Sequence, residues 1–420
     1  MIKVFKFGGA LMQDADGIRK VASIIQDNKG SNLIVVVSAL GKTTNRLEEI
    51  LQLAIDKNEN LLQQALESLK TSHFQIIDQL FDDAGNCLNQ LSELFENLIT
   101  ALKQIDPNRF VAYDSIVSFG EKFTTLILGH YFTEQQLLFQ LVDARSIIIT
   151  DNDFTSAKVN WQKTTENVNT EILPVLAEGK FVLTEGFIGS DPSGHPTTLG
   201  REGSDFTAAI LASTLDANEV TIWKNVPGLM HADPNRFAES IKLDQISYHE
   251  AIELAFYGAS VIHPKTIQPL QQKNIPLFVR SFDDLKIAAS KISKDASMDD
   301  KMHKIIVKDN QVLLSINSRD LSFIAEDHLT DIFKAFSRHK IHINLMQHSA
   351  VSFSVCFNSN KSKLEALLSD LKNEFIVKYN DGLQLITIRH YSEEFINKLV
   401  EHKKIFLEQK SRSTVQLLIK

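Results

Sequence analysis

The sequence predicts an α/β protein: a main body built on a largely parallel sheet, followed by a smaller C-terminal region of α+β modules. Three observations carry this. From residue 2 to about 280, short apolar runs alternate with stretches of helical period. Some of those runs, Leu33 to Val37 among them, are apolar throughout, as strands buried on both faces are. Beyond residue 304 the elements shorten, and a strand–helix–strand–strand order recurs.

In chain order, Ile2 to Phe7 reads as a strand ending at Gly8-Gly9, and a helix runs from after Asp14-Ala15-Asp16 to about Asp27. The strand Leu33 to Val37 ends in a polar loop, Ser38 to Asn45. Arg46 to about Gln104 is helical, with apolar stripes such as Leu47, Ile50, Leu51 and Ala54, and reads as a helical insertion over 46–106 that Pro107 ends. Asp114 to His130 is helix-compatible and carries Ser118-Phe119-Gly120-Glu121-Lys122. That charged pair is either a solvated helix start or part of a site. Leu137 to Val142 and Phe181 to Thr184 are further strands. A hairpin-like loop with turn residues Ser190 to Gly194 then leads to Thr197-Thr198-Leu199-Gly200-Arg201-Glu202-Gly203-Ser204-Asp205 and an apolar helix from Phe206, which Ser204 or Asp205 is placed to cap.

Val220 to Trp223 is a strand, and His231 to Arg236 a polar turn. Ser247 and Glu250 have capping-box spacing at the start of a helix through Phe256. Another helix starts around Val261 to Lys265, and Ile275 to Val279 is the last strand expected of this body, which spans 1–290. Lys291 to Lys304 is polar and reads as a linker. Residues 305–420 read as one full module, Leu313 to Val377, and one shortened copy, Leu383 to Ile419.

Composition narrows the function classes. A chain of 420 residues with 43% hydrophobic and 23% charged residues buries a large core. Its net charge of -8 argues against nucleic acid or an anionic membrane as partner. No apolar run approaches the ~18 residues of a membrane span. The first strand begins at Ile2 and leaves no room for a signal peptide, so a cytoplasmic location is expected. Cys87 and Cys356 stand in dissimilar contexts, offer neither a disulfide framework nor metal-ligand spacing, and read as small buried hydrophobes.

In an open α/β sheet, ligands bind beyond the carboxyl ends of the strands. If those loops converge, they bring together Lys6, Gly8, Gly9, Ser38, Thr44, Glu121, Arg201, Ser204 and Asp205. A lysine with glycine amides suits a polyphosphate. An arginine beside hydroxyls clamps a carboxylate, and a glutamate suits an ammonium. The set fits an amino acid lying beside a nucleoside triphosphate. Neither a G-x-x-x-x-G-K-[ST] run nor a G-x-G-x-x-G fingerprint is present, which sets aside P-loop and dinucleotide folds.

The motifs themselves, in order, are KFGG (Lys6 to Gly9), Val35 to Asn45, SFGE (Ser118 to Glu121), Glu185 to Asp205, Val226 to Pro234 and Tyr257 to Thr266. In these the chain resembles the aspartokinases of the amino-acid kinase superfamily over nearly its whole length. The resemblance implies a three-layer sandwich with C-terminal ACT-like regulatory modules. It also implies transfer of the γ-phosphoryl group of ATP, with Mg2+, to the side-chain carboxylate of L-aspartate. Carried across, Lys6, Arg201 and Asp205 are catalytic. Ser38, Thr44, Glu121, Phe187, Arg201 and Ser204 surround aspartate. Lys6, Gly8, Gly9, Trp223, Lys224, Asn225, Met230, Asp233, Arg236 and Ser260 serve ATP. A homodimer or higher homo-oligomer and a feedback amino acid, lysine or threonine, are implied as partners.

Five positions depart from the family pattern. Ala10-Leu11 replaces Thr-Ser after KFGG, Glu202 stands where glycine is usual, Asn225 where aspartate is, and Ser260 where a lysine is. Two alternatives stay open: a catalytically weakened amino-acid sensor, to which Ala10, Asn225 and Ser260 point, and another superfamily kinase.

Overall fold

The computed structural model describes residues 1–259, 262–320 and 322–420. The chain forms two compact units. The first comprises Met1–Leu229, Lys242–Ile252 and Ile262–Ala296; the second comprises Met230–Ile241, Glu253–Val261 and Ser297–Lys420.

The chain opens with β1 (Ile2–Phe7), a 3-10 turn (Gly9–Met12), α1 (Ala15–Gln26) and β2 (Asn32–Val37). The Asp14 side chain caps α1 by accepting from the Gly17 N–H at 2.9 Å. Helices α2 (Thr43–Ile55), α3 (Glu59–Leu80), α4 (Gly85–Lys103), α5 (Arg109–Val117) and α6 (Phe119–Glu134) follow. Then come β3 (Phe139–Leu141), α7 (Ala144–Ile147), α8 (Trp161–Ala177) and β4 (Phe181–Glu185). A hairpin of β5 (Ile188–Ser190) and β6 (Pro196–Thr198) leads to α9 (Gly203–Thr214) and β7 (Glu219–Lys224). After the short β8 (Leu229–Met230) and β9 (Lys242–Leu243) come β10 (Gln245–Ser247), α10 (Tyr248–Tyr257), α11 (Pro264–Lys273), β11 (Leu277–Ser281) and β12 (Ser290–Ser293).

The first unit is organised on an eight-stranded sheet in the order β10-β12-β11-β7-β1-β2-β4-β3. Every neighbouring pair is parallel except β11 with β12. Side chains alternate across it. Phe5, Phe7, Leu33, Val35, Val37, Leu183 and Trp223 face one way and share a core with α1 to α6. Their neighbours Val4, Ile34, Val36, Val220 and Ile222 are also fully buried, with α9 lying against β1, β2 and β7 and α11 against α9. The result is helix, sheet and helix in three layers.

Two expectations change here. The helical stretch 46–106 is three helices whose Leu47, Ile50, Leu69, Ile77, Phe95 and Leu98 belong to the same core as the strands, so it is integral to the unit and not an appendage. The last strand is not Ile275 to Val279. β12 follows it and joins the sheet, so the polar stretch from Lys291 begins as strand, with Ile292 and Ser290 fully buried.

The second unit carries β13 (Lys304–Ser318), α12 (Glu326–Arg338), β14 (Ile343–His348), β15 (Ser352–Asn358), α13 (Lys361–Leu371), β16 (Phe375–Arg389), α14 (Glu393–Val400), β17 (Ile405–Lys410) and β18 (Thr414–Ile419). These strands make one six-stranded sheet, β14-β15-β13-β16-β18-β17. The two expected modules share its central strands. The late half of β13 pairs with β15, and its early half, Lys304 to Lys308, pairs with Arg389 to Leu385 of β16. Ile305 therefore packs with Ile386, Ile388, Ile396, Val415 and Leu417. The second module is not shortened. Its first strand comes from ahead of the first module, in the stretch read as linker and strand start.

Candidate active site

Register brings the predicted loops to one edge. Phe7 pairs with Val37 and with Trp223, and Val37 pairs with Glu185. The chain therefore leaves β1 at Gly8, β2 at Ser38, β4 at Gly186 and β7 after Lys224, all at the carboxyl ends of neighbouring parallel strands.

Each loop is fixed by a specific contact. The Ser38 N–H donates to the Phe7 carbonyl at 3.2 Å. The Ala39 N–H donates to Glu121 Oε1 at 3.2 Å and the Leu40 N–H to Thr124 Oγ1 at 3.0 Å, which pins the β2 loop to α6. A Cβ on Gly9 would stand 2.0 Å from the Ala39 carbonyl oxygen, so only glycine lets the two loops meet. Gly9→Ala is expected to destabilise the fold by ~1–3 kcal/mol of overpacking strain and to cut turnover, read by thermal unfolding and by initial rate. A Cβ on Gly8 would meet only Lys6 Nζ, at 3.4 Å.

Lys6 Nζ lies 2.7 Å from Asp205 Oδ1, with the two side chains 12% and 5% exposed. The contact is an ion pair at charge-assisted hydrogen-bond distance. It ties β1 to the first turn of α9. That helix starts at Gly203, earlier than expected, and neither Ser204 nor Asp205 caps it. The residue before it, Glu202, is left-handed with φ 54° and makes no side-chain cap. A Cβ on Gly203 would stand 2.7 Å from Phe187 Cδ2, so the helix begins where glycine permits close packing. This frees the Ser204 and Asp205 side chains for the site. Ser204 packs against Gly186, whose notional Cβ would be 2.5 Å from Ser204 Cβ. Phe187 is held at φ 71° with its N–H on Thr207 Oγ1 at 2.9 Å.

Glu121 is not a solvated helix start: it is 2% exposed. Burial first, then the nearby Glu185 carboxylate, push its pKa up to about 8, against the Ala39 N–H and Lys6, which hold it down. Its second oxygen, Oε2, is buried with no hydrogen-bond partner among the described residues. A buried carboxylate oxygen left without a donor has the capacity to accept one from a cationic group. Glu185 is itself raised by burial, and accepts from Thr125 Oγ1 at 3.0 Å and the Ala144 N–H at 2.9 Å. Arg201 is exposed, and its guanidinium has no partner among the described residues. Thr44 lies in the first turn of α2 beside the buried Thr43, which contacts the start of α6 at Gly120.

The nucleotide residues divide. The Trp223 ring is buried, stacked on Phe7 at 5.8 Å and edge-on to Phe5, so it is a core side chain and only its backbone is available to a ligand. Lys224 and Asn225 follow it at the sheet edge. Met230, Asp233 and Arg236 belong to the second unit, where Arg236 pairs with Asp309 and Asp233 accepts from the Asn235 N–H at 2.9 Å. Ser260 lies outside the described residues.

Sequence reasoning passed over Glu185, Asp114 and Thr207 as site-building groups. Asp114 carried a signal: a carboxylate between Ala112 and Ile116, in a helix whose neighbours are apolar and buried.

The model of the amino acid kinase family matches residues 1–281. Lysine-sensitive aspartokinase 3 of Escherichia coli (strain K12) is 30% identical over 399 residues, spanning 92% of this chain and 86% of that protein. Aspartokinase 1, chloroplastic, of Arabidopsis thaliana is 28% identical over 405 residues, spanning 92% and 70%. The chain spans 42% of the bifunctional aspartokinase/homoserine dehydrogenase 2 of the same plant. Among solved structures, E. coli aspartokinase III in complex with lysine and aspartate (T-state) superposes with TM-score 0.84 at 28% identity, covering 99% of this chain and 95% of that one. The same enzyme with aspartate and ADP (R-state) gives 0.81 at 28%, covering 100% and 96%. A sheet edge that joins a buried lysine–aspartate pair to an orphaned glutamate, and a likeness running almost the whole length of both chains, place this chain in the amino acid kinase family, among its aspartokinases.

Proposed function

We infer that this protein is an aspartate kinase: it transfers the γ-phosphoryl group of ATP to the side-chain carboxylate of L-aspartate, giving 4-phospho-L-aspartate and ADP. The observation that carries the reading is the buried Lys6–Asp205 pair at 2.7 Å, on the same strand edge as the unpartnered Glu121 Oε2. It is supported by the full-length likeness to an enzyme solved with aspartate and ADP.

Phosphoryl transfer asks the protein for position and charge more than for covalent chemistry. Lys6 is assigned to the charge that builds on the transferred group, with Asp205 fixing its ammonium. The Gly8 and Gly9 amides take the phosphates; Mg2+, when bound, would be held by those phosphates and would supply positive charge to the transferred group. Among the described residues no three His, Cys, Asp or Glu side chains cluster as a metal cage. Glu121 Oε2 takes the aspartate ammonium, Arg201 clamps a carboxylate, and Ser38, Thr44, Phe187 and Ser204 line the acceptor. Lys224, Asn225 and the backbone at Trp223 are assigned to the nucleotide.

The test is ATP-dependent acyl phosphate formation trapped by hydroxylamine, run with L-aspartate, glutamate and N-acetylglutamate. Hydroxamate with aspartate alone is expected. Product from another acceptor, or none above background, overturns the reading. Titrating lysine and threonine into the same assay assigns the effector of the second unit, and light scattering reads the homo-oligomer that accompanies this reading.

A further inference from the structure

We propose that Asp114 is a positioning residue for the acceptor clamp, acting through the arch that carries Arg201. Asp114 lies on α5 and is fully buried. Its Oδ2 accepts the N–H groups of Thr155 and Thr198, each at 2.9 Å, and its Oδ1 accepts the Thr198 hydroxyl at 2.7 Å. One carboxylate thus stitches together three segments distant in sequence. The first is α5, which runs directly into the Ser118–Glu121 turn. The second is the loop at Thr155. The third is the end of β6, three residues before Arg201.

The Thr155 loop is closed by the Ser156 N–H on the Asp153 carbonyl at 3.2 Å and tied to the arch by the Ala157 N–H on the Thr198 carbonyl at 3.0 Å, but at Thr155 itself it holds a strained conformation. Thr155 is β-branched yet sits at φ 70°, a conformation such residues avoid. Its backbone nevertheless forms the wall of the arch. A Cβ on Gly200 would approach the Thr155 carbonyl oxygen to 3.2 Å, and Gly200 itself turns at φ 74°. On the other side the Leu199 N–H donates to the Phe187 carbonyl at 2.8 Å, and the Gly203 N–H to the Gly200 carbonyl at 3.0 Å. The arch Thr198-Leu199-Gly200-Arg201 is therefore clamped between a strained loop and the Phe187 turn. Asp114 is the group that satisfies both the strained turn and the start of the arch. Without it, Thr155 can relax and the exposed Arg201, which has no partner of its own among the described residues, loses its bearing on the acceptor.

The kinetic half of this inference rests on the aspartate kinase reading; the structural half does not. Three variants of the full chain separate them. Asp114→Ala removes all three bonds. Thr198→Val removes only the hydroxyl bond and leaves the backbone donors in place, so it is the milder variant and is expected to fold. Asp114→Asn keeps an oxygen for the two N–H donors and can donate its amide hydrogen to the Thr198 hydroxyl. Hydrogen exchange over residues 196–203 is expected to rise about tenfold in Asp114→Ala and less in Thr198→Val, with peptides of β1 and α1 unchanged. The KM for aspartate is expected to rise roughly tenfold with that for ATP held within about twofold, because misplacing one clamp affects one substrate. Asp114→Asn restores both readouts. Parent-like exchange over 196–203 in Asp114→Ala and Thr198→Val overturns the proposal, as does Asn being as damaging as Ala. A parent chain that makes no aspartyl hydroxamate sinks the functional reading instead, while the exchange measurement still decides the positioning claim.

Discussion

Lys6→Met is expected to lower kcat roughly a thousandfold, as removal of a principal charge-stabilising donor does elsewhere. The ammonium lies 2.7 Å from Asp205, so the substitution also strands a buried carboxylate. Breaking a buried pair from one side costs about 3–5 kcal/mol, and stability loss could be mistaken for lost chemistry. The double variant Lys6→Met/Asp205→Asn separates the two. It has no uncompensated charge, so its thermal midpoint is expected to return toward the parent while its kcat stays at the single-variant level. A double variant that regains activity along with stability would make Lys6 a structural residue only.

The second large effect is in pH. Glu121 is pushed up to about 8, chiefly by burial, so below that pH the free protein carries it protonated. An ammonium group seats on the charged form, and binding aspartate must then release a proton. The apparent KM for aspartate is expected to fall about tenfold per pH unit as pH rises toward 8 and to level above it, since one proton is exchanged per site. Glu121→Gln should raise the KM and flatten this profile. His73 cannot mimic the effect, because burial lowers it to about 4. Stability runs the other way. A raised carboxyl pKa means the folded state binds more protons than the unfolded one between the ordinary carboxylate range and about 8. The fold therefore loses stability as pH rises across that window. Glu121→Gln removes the loss and should melt higher than the parent at pH 8. A variant with the parent's pH profile and a lower midpoint would show that Glu121 is held for packing alone.

Much of this was legible from local signals. The strand Ile2 to Phe7 ending in two glycines, the apolar run Leu33 to Val37 and the strand at Val220 each announce a buried parallel strand, and the loops after them supplied most of the site. What stayed hidden depends on contacts across the chain. Lys378 to Gly382, with Asn380-Asp381-Gly382, has the chemistry of a turn, yet β16 runs through it, absorbing Gly382 at φ 63° beside a register shift against β13. The shared central strands, and hence the completeness of the second module, could not be read once that stretch looked like an ending. Glu202 hid the start of α9 for a different reason. A glutamate is a poor choice for a left-handed residue, but its carboxylate accepts the His263 N–H at 3.0 Å and so ties the α9 start to α11. Asp114 and Glu185 were silent because a buried carboxylate is recognisable only by its donors, and theirs come from residues 41 or more positions away.

The most direct measurement of the central claim, that one cleft grips both substrates, is a crystal structure of the full chain with L-aspartate and ADP. The account predicts the aspartate ammonium within hydrogen-bond reach of Glu121 Oε2, a carboxylate on Arg201, and the diphosphate at Gly8 with Lys6 facing the gap between the ligands. Aspartate bound away from Glu121 and Arg201, or Lys6 turned from both ligands, would contradict it.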